Sequence, residues 1–156
     1  MDMHIGITQH NREIIAADLS RLLADTYTLY LKTQNFHWNV KGPYFQQLHT
    51  LFQAQYAELA LAIDEIAERI RALGHRAPGS YSEFAKLTSI PETAGAPPAA
   101  DMLHALLKGH EALIVTARNL MRGANEAGDE ASVDIAVQRI QAHEKAAWML
   151  RSQMEA

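Results

Sequence analysis

Four side chains in this sequence have the type and spacing to hold a metal ion: His37, His49, Asp64 and Glu68. Asp64 and Glu68 stand four residues apart. On a helix they share a face, where two carboxylates can grip one hard or borderline cation. His37 precedes the break at Gly42 and Pro43, and His49 follows it, twelve residues after His37. His49 and Asp64 are fifteen residues apart, which on one helix is roughly 22 Å along the axis. They cannot meet on one ion within a single chain. Pairing this helix antiparallel with its copy, centred near Ala57, places His49 beside the partner subunit's Asp64 and Glu68. An isologous dimer would then hold two identical sites, each built from both chains.

Each of these residues also has a plainer use. A single histidine such as His37 or His49 is more often a hydrogen-bonded interior group than a ligand. An Asp/Glu pair is more often part of a solvated helix face, and Glu65, Glu68, Arg69 and Arg71 fit that description. Phe45, Phe52 and Tyr56 read as core or interface packing whatever the function. The chain has no cysteine, which excludes disulfide scaffolds, thiol nucleophiles and Cys-ligated zinc or iron–sulfur centres. Histidine and carboxylate are the strong ligands that remain.

The elements that must position these groups are helical. Apolar periodicity runs from about Thr8 to Trp38, with Ile15, Leu19, Leu22, Leu23, Tyr30 and Leu31 on one side. A second segment extends from Pro43, suited to a first helical turn, to Leu73, and stops at Gly74. A third is expected to start at an Asp101 N-cap and carries Leu103, Leu106, Leu107, His110, Leu113 and Leu120. Gly128 turns into a fourth, with Val133, Val137, Ile140, Ala147 and Trp148 as its apolar positions. Between the second and third, His75 to Ala100 holds Pro78, Pro91, Pro97 and Pro98. So long a connection predicts a short helix within it, over Tyr81–Leu87, started by Ser80 or Ser82. Two hairpins joined by one long crossover make a ferritin-like four-helix bundle, an all-α single domain spanning residues 1–156. Bundles of that kind build an internal di-iron site from Glu-x-x-His pairs. This sequence has none, which disfavours a centre inside one bundle.

At 156 residues the chain suits one domain with one substantial core. Lys plus Arg number 14 against 18 Asp plus Glu, a net charge of −4, which argues against a strongly basic nucleic-acid binder. Met1 to Asn11 carries no Lys, no Arg and no apolar run. An export signal is therefore not expected, nor any membrane partner, and a cytoplasmic location is.

Residues Gln34 to Leu59, QNFHWNVKGPYFQQLHTLFQAQYAEL, followed by AIDEIAERIRALG from Ala62 to Gly74, resemble the Dps miniferritin family. The linked features are His-Trp before the Gly-Pro break, a second His twelve residues later, and Asp-x-x-x-Glu-Arg further on. Weaker similarity extends through GSYSEF in the crossover to Trp148. The resemblance implies a twelve-subunit hollow shell that oxidises Fe(II), preferably with hydrogen peroxide and otherwise with O2, and stores the ferric mineral as protection against oxidative stress. It implies iron sites at the two-fold interface, with His37 and His49 from one subunit and Asp64 and Glu68 from its mate. Trp38 would stand next to the site, where it positions ligands or intercepts radicals, or else serves as a buried aromatic anchor. Two Fe(II) ions would supply the two electrons that reduce peroxide to water without releasing hydroxyl radical.

One position departs from the family pattern. Relatives typically carry Asp or Glu four residues after the second His, and here that residue is Gln53. A carboxamide brings no charge to balance the cation and is a poorer iron ligand. The first ion, at His37, Asp64 and Glu68, should survive, giving a mono-iron or unequal di-iron site. The family likeness also implies acidic three-fold pores, here assigned to Asp129 and Asp134, although helix capping is the alternative for Asp129. Many relatives condense DNA through basic tails. Here the first eleven residues offer no cation, and RSQMEA at the other end offers Arg151 offset by Glu155. DNA binding should be weak or absent. The alternative reading is a DNA-protecting structural shell whose metal site is weakened by Gln53.

Overall fold

The computed structural model describes residues 2–155, so Met1 and Ala156, the ends of the expected domain, lie outside the described residues. Five helices follow one another: α1 (Gln9–Asn39), α2 (Phe45–Ala72), α3 (Tyr81–Leu87), α4 (Ala99–Ala127) and α5 (Glu130–Ser152). The described residues contain no strand. The fold is the all-α bundle of two hairpins and one long crossover that the periodicity predicts. Helices α1 and α2 pack as one hairpin, α4 and α5 as the other, and α1 faces α4 across the core.

Local chemistry explains most of the boundaries. Thr8 caps α1, its side-chain oxygen accepting from the Asn11 amide. Gly74, at φ +89°, ends α2 in a Schellman turn. There the His75 amide reaches the Ile70 carbonyl and the Gly74 amide reaches that of Arg71. Ser80 caps α3 by accepting from the Glu83 amide. Two starts differ from expectation. Helix α2 begins at Phe45 behind a Tyr44 cap, so Pro43 lies before the helix rather than in its first turn. Helix α4 begins at Ala99 behind Pro98, which puts Asp101 inside the first turn instead of at the cap. A proline in extended conformation, φ −54° and ψ 152°, serves as the cap and starts the helix three residues earlier than an Asp101 cap would.

The core runs the length of the bundle through fully buried Leu19, Leu22, Phe36, Phe52, Ile66 and Leu113. Gly109 lets α4 approach α1 closely: a Cβ placed there would sit 2.7 Å from Leu29 Cδ1. The crossover is held by one buried carboxylate. Asp25 on α1 accepts hydrogen bonds from Thr88 Oγ1 (2.8 Å), the Ser89 amide (2.6 Å), Ser89 Oγ (2.8 Å) and Thr116 Oγ1 on α4 (2.6 Å). Trp148 departs from its expected place on the apolar side of α5 and is 59% exposed. Among the described residues no helix is long and apolar enough to cross a membrane.

Candidate metal centre

His37 lies in the last turn of α1 and His49 in the second turn of α2, on opposite sides of the hairpin bend. Their imidazoles stack, with centroids 3.7 Å apart and planes inclined by 15°. Phe45 stacks on His49 at 5.0 Å, and Tyr56 meets His37 edge-on at 5.1 Å. The two rings also exchange hydrogen bonds. His37 Nδ1 is 2.7 Å from the His49 carbonyl oxygen, and His49 Nδ1 is 2.8 Å from that of His37. A carbonyl only accepts, so each Nδ1 carries the proton and donates it. The neutral form of a ring so anchored has its lone pair on Nε2, the arrangement in which histidine ligates a metal with its other nitrogen held by backbone. The His37 carbonyl is one of the acceptors that a helix C-terminus leaves open, which is why a side chain from the next helix finds it.

Asp64 and Glu68 are exposed on α2, as is Gln53. Among the described residues no group of three or more His, Asp or Glu side chains comes together tightly enough to hold a metal ion. One chain thus presents the two candidate pairs at different heights of the α1–α2 hairpin: an imidazole pair at the bend and a carboxylate pair further along α2. Trp38, 61% exposed, is not a buried anchor within the chain.

Asp129 corrects an expectation. It is 2% exposed and caps α5, accepting from the Ser132 amide at 3.1 Å. Its carboxylate also takes a hydrogen bond from Ser132 Oγ and an ion pair from Arg69 at 2.6 Å. Burial opposes the charge, but the Arg69 and Ser132 hydrogen bonds more than offset it and hold the carboxyl below its usual range. A side chain so occupied has nothing to offer a pore. Asp134 is exposed and hydrogen-bonded to Gln138 at 2.7 Å.

The sequence reading passed over a second histidine pair. His110 on α4 and His143 on α5 are 2% and 1% exposed, with their Nδ1 atoms 2.8 Å apart. Arg139 approaches His143 Nε2 at 2.9 Å and forks onto Glu58 at 2.5 and 2.8 Å. His110 occupies a place in the apolar stripe of α4 and His143 one in that of α5, between Ile140 and Ala147. That stripe placement was the available signal.

Comparison with known proteins agrees with this architecture. Residues 16–156 match the ferritin-like domain family. The chain is 39% identical to DNA protection during starvation protein 2 of Bacillus anthracis, over 91% of this chain and 97% of that one. It is also 39% identical to an uncharacterized low temperature-induced protein of Nostoc, over 98% of this chain and 87% of the relative. The crystal structure of a Dps protein from Vibrio cholerae O1, described as a member of a broad superfamily of ferritin-like diiron-carboxylate proteins, superposes with a TM-score of 0.94. It is 31% identical, over 99% of this chain and 98% of that one. On fold, on coverage and on identity, the chain belongs to the ferritin-like family, in its Dps branch.

Proposed function

We propose that this protein is a Dps-type miniferritin, a ferroxidase that oxidises Fe(II) with hydrogen peroxide or O2 and stores the ferric product inside a shell of twelve copies. The observation that carries the reading is the reciprocal bonding of His37 and His49, which spends both Nδ1 protons on backbone and presents two Nε2 lone pairs. Fe(II) is the substrate, held by His37 and His49 of one subunit and by Asp64 and Glu68 of its mate across a two-fold axis. The carboxylates favour Fe(III) over Fe(II), and a set of few protein ligands leaves room for the oxidant. Two Fe(II) ions give up one electron each, the peroxide O–O bond is broken, and with two protons two waters form.

Gln53 and the exposed Asp134 complete the proposal: the first weakens the second iron position, and the second attracts Fe(II) at a pore. Trp38, exposed beside His37, is available to donate an electron or to seal the site once the partner subunit is in place. The test is addition of Fe(II) under argon, then peroxide, to the wild type and to an Asp64→Ala/Glu68→Ala variant, following ferric absorbance. Fast oxidation is expected in the wild type, with a loss of at least tenfold in the variant. Equal rates would remove the ferroxidase assignment and leave a protective shell.

A further inference from the structure

Lysine ordinarily lays its stem along apolar surface and keeps its ammonium in water. Lys32 does otherwise. It lies on the inner side of α1 among Leu29, Thr33 and Phe36 and is 6% exposed. Burial lowers its pKa, and neither a hydrogen bond nor a nearby carboxylate counters that effect. Buried charges in folded proteins are paired. Among the described residues this one has no partner.

The ammonium is nevertheless within reach. The polar side-chain atoms that are both sealed from solvent and unpartnered belong to Arg12, Gln55, His110 and Arg139, and Lys32 Nζ is not among them. Lys32 lines a cleft of about 430 Å³ between α1, α3 and residues 92–95 of the crossover, a size suited to a small organic ligand. Its walls are aromatic and held in place. Tyr27 on α1 stacks on Phe84 of α3 at 4.9 Å and meets Tyr81 edge-on at 6.3 Å. Trp38 also lines the cleft. The Asn35 amide donates to the carbonyls of Thr93 (3.3 Å) and Gly95 (3.0 Å), which pins the crossover to α1. None of His37, His49, Asp64 and Glu68 lines this cleft, so it is separate from the candidate metal centre.

Charge selects the ligand. Lys32 supplies a cation, and the one other charged residue lining the cleft, among those described, is the exposed Glu92. A dianion such as phosphate or sulfate would face Glu92 with a single cation to balance it. One negative charge is matched by Lys32. A carboxylate carries that charge and accepts hydrogen bonds from an ammonium, and the aromatic walls favour a flat apolar body through stacked and edge contacts. We propose that the cleft between α1, α3 and the crossover binds a small aromatic carboxylate, with its charged end on Lys32 and its ring against Tyr27, Phe84, Tyr81 and Trp38.

Titration calorimetry on the assembled full-length protein tests this with benzoate as the probe. Benzyl alcohol keeps the ring without the charge, and acetate keeps the charge without the ring. Saturable binding of one benzoate per chain is expected, with each control at least tenfold weaker. Lys32→Met, which keeps the stem and removes the charge, should weaken benzoate at least tenfold and leave benzyl alcohol unchanged. Ala85→Trp, which fills the cleft from α3 with Lys32 in place, should abolish binding. The second variant keeps the test open if the first fails to fold. No benzoate binding, affinity equal to that of either control, or indifference to both substitutions would each overturn the proposal. So would crystals soaked in benzoate in which a carboxylate of the partner subunit, or water alone, stands beside Lys32 Nζ.

Discussion

At residue 53 the chain carries a carboxamide, Gln53, where a carboxylate would add a negative charge beside His49. Gln53 is exposed on α2 one turn beyond His49, where a carboxylate would share a second cation with that imidazole. Iron titration of the assembled protein should therefore show one tight ion per subunit and a weaker one, and Gln53→Glu should tighten the second by about tenfold. Two equally tight ions in the unmodified protein would contradict the role given to Gln53. The buried pair His110 and His143 makes a second prediction at this scale. Their folded-state pKa values lie below that of a free histidine, for His110 at about 3. Between about pH 6.5 and that value the unfolded chain binds more protons than the folded one, so stability falls as pH falls. The contribution is fully present above pH 6.5. Facing the pair are Arg139 on α5 and, beyond it, Glu58 on α2. Urea unfolding from pH 7 down to pH 4.5 should show a shallower loss of stability in His110→Leu/His143→Leu than in the wild type. Parallel pH dependences in the two proteins would refute the assignment.

Among the elements, the crossover between α2 and α4 depends most on a single tie. Asp25 is 1% exposed and receives four hydrogen bonds, three of them from Thr88 and Ser89 and one from α4. Asp25→Ala would leave several buried donors unpaired, at a cost of about 3 kcal/mol. Asp25→Asn should cost less, since the amide keeps one acceptor oxygen. Chemical denaturation measures the total, and hydrogen exchange locates it: the amides of residues 88–90 should lose protection before those of α1. Unchanged protection at those amides would show that α3 holds the crossover without Asp25. The start of α5 is tied in a comparable way, by Asp129 to Arg69 on α2. This contact fixes the turn after α4 against α2, and so the height at which Asp134 emerges.

For the whole molecule, the proposed split of the iron ligands between two subunits predicts that assembly is a condition of activity. Sedimentation should give a species near twelve times 17.4 kDa, and a variant held as a monomer should lose ferroxidase activity with its fold intact. Multiplying the net charge of −4 over a shell makes phosphate contact unfavourable. No retardation of DNA is expected at micromolar protein in about 150 mM salt, from about pH 6 to pH 8. A clear shift under those conditions would require a basic surface that the tails do not supply.

Periodicity and spacing alone carry a large part of this protein. Four long helices, the crossover with its short helix at Tyr81–Leu87, and the separation of His49 from Asp64 all follow from local rules. Hydrophobic period, capping chemistry and rise per residue need no knowledge of neighbours. The caps of α2 and α4 fall at Tyr44 and Pro98 rather than around Pro43 and Asp101, because a cap depends on backbone angles that composition only suggests. What belongs to the folded chain are contacts between helices far apart in sequence. The exchange of hydrogen bonds between His37 and His49 needs the hairpin bend to bring two ring edges onto two carbonyls. The taking of Asp129 by Arg69, and of Trp148 by the surface, depends on how each helix is rotated about its axis. The chain His110–His143–Arg139–Glu58 joins three helices. Neither it nor the cleft at Lys32 could be foreseen from stripes on any one helix, because packing between faces, not the pattern on a face, sets which polar atoms are left without a partner.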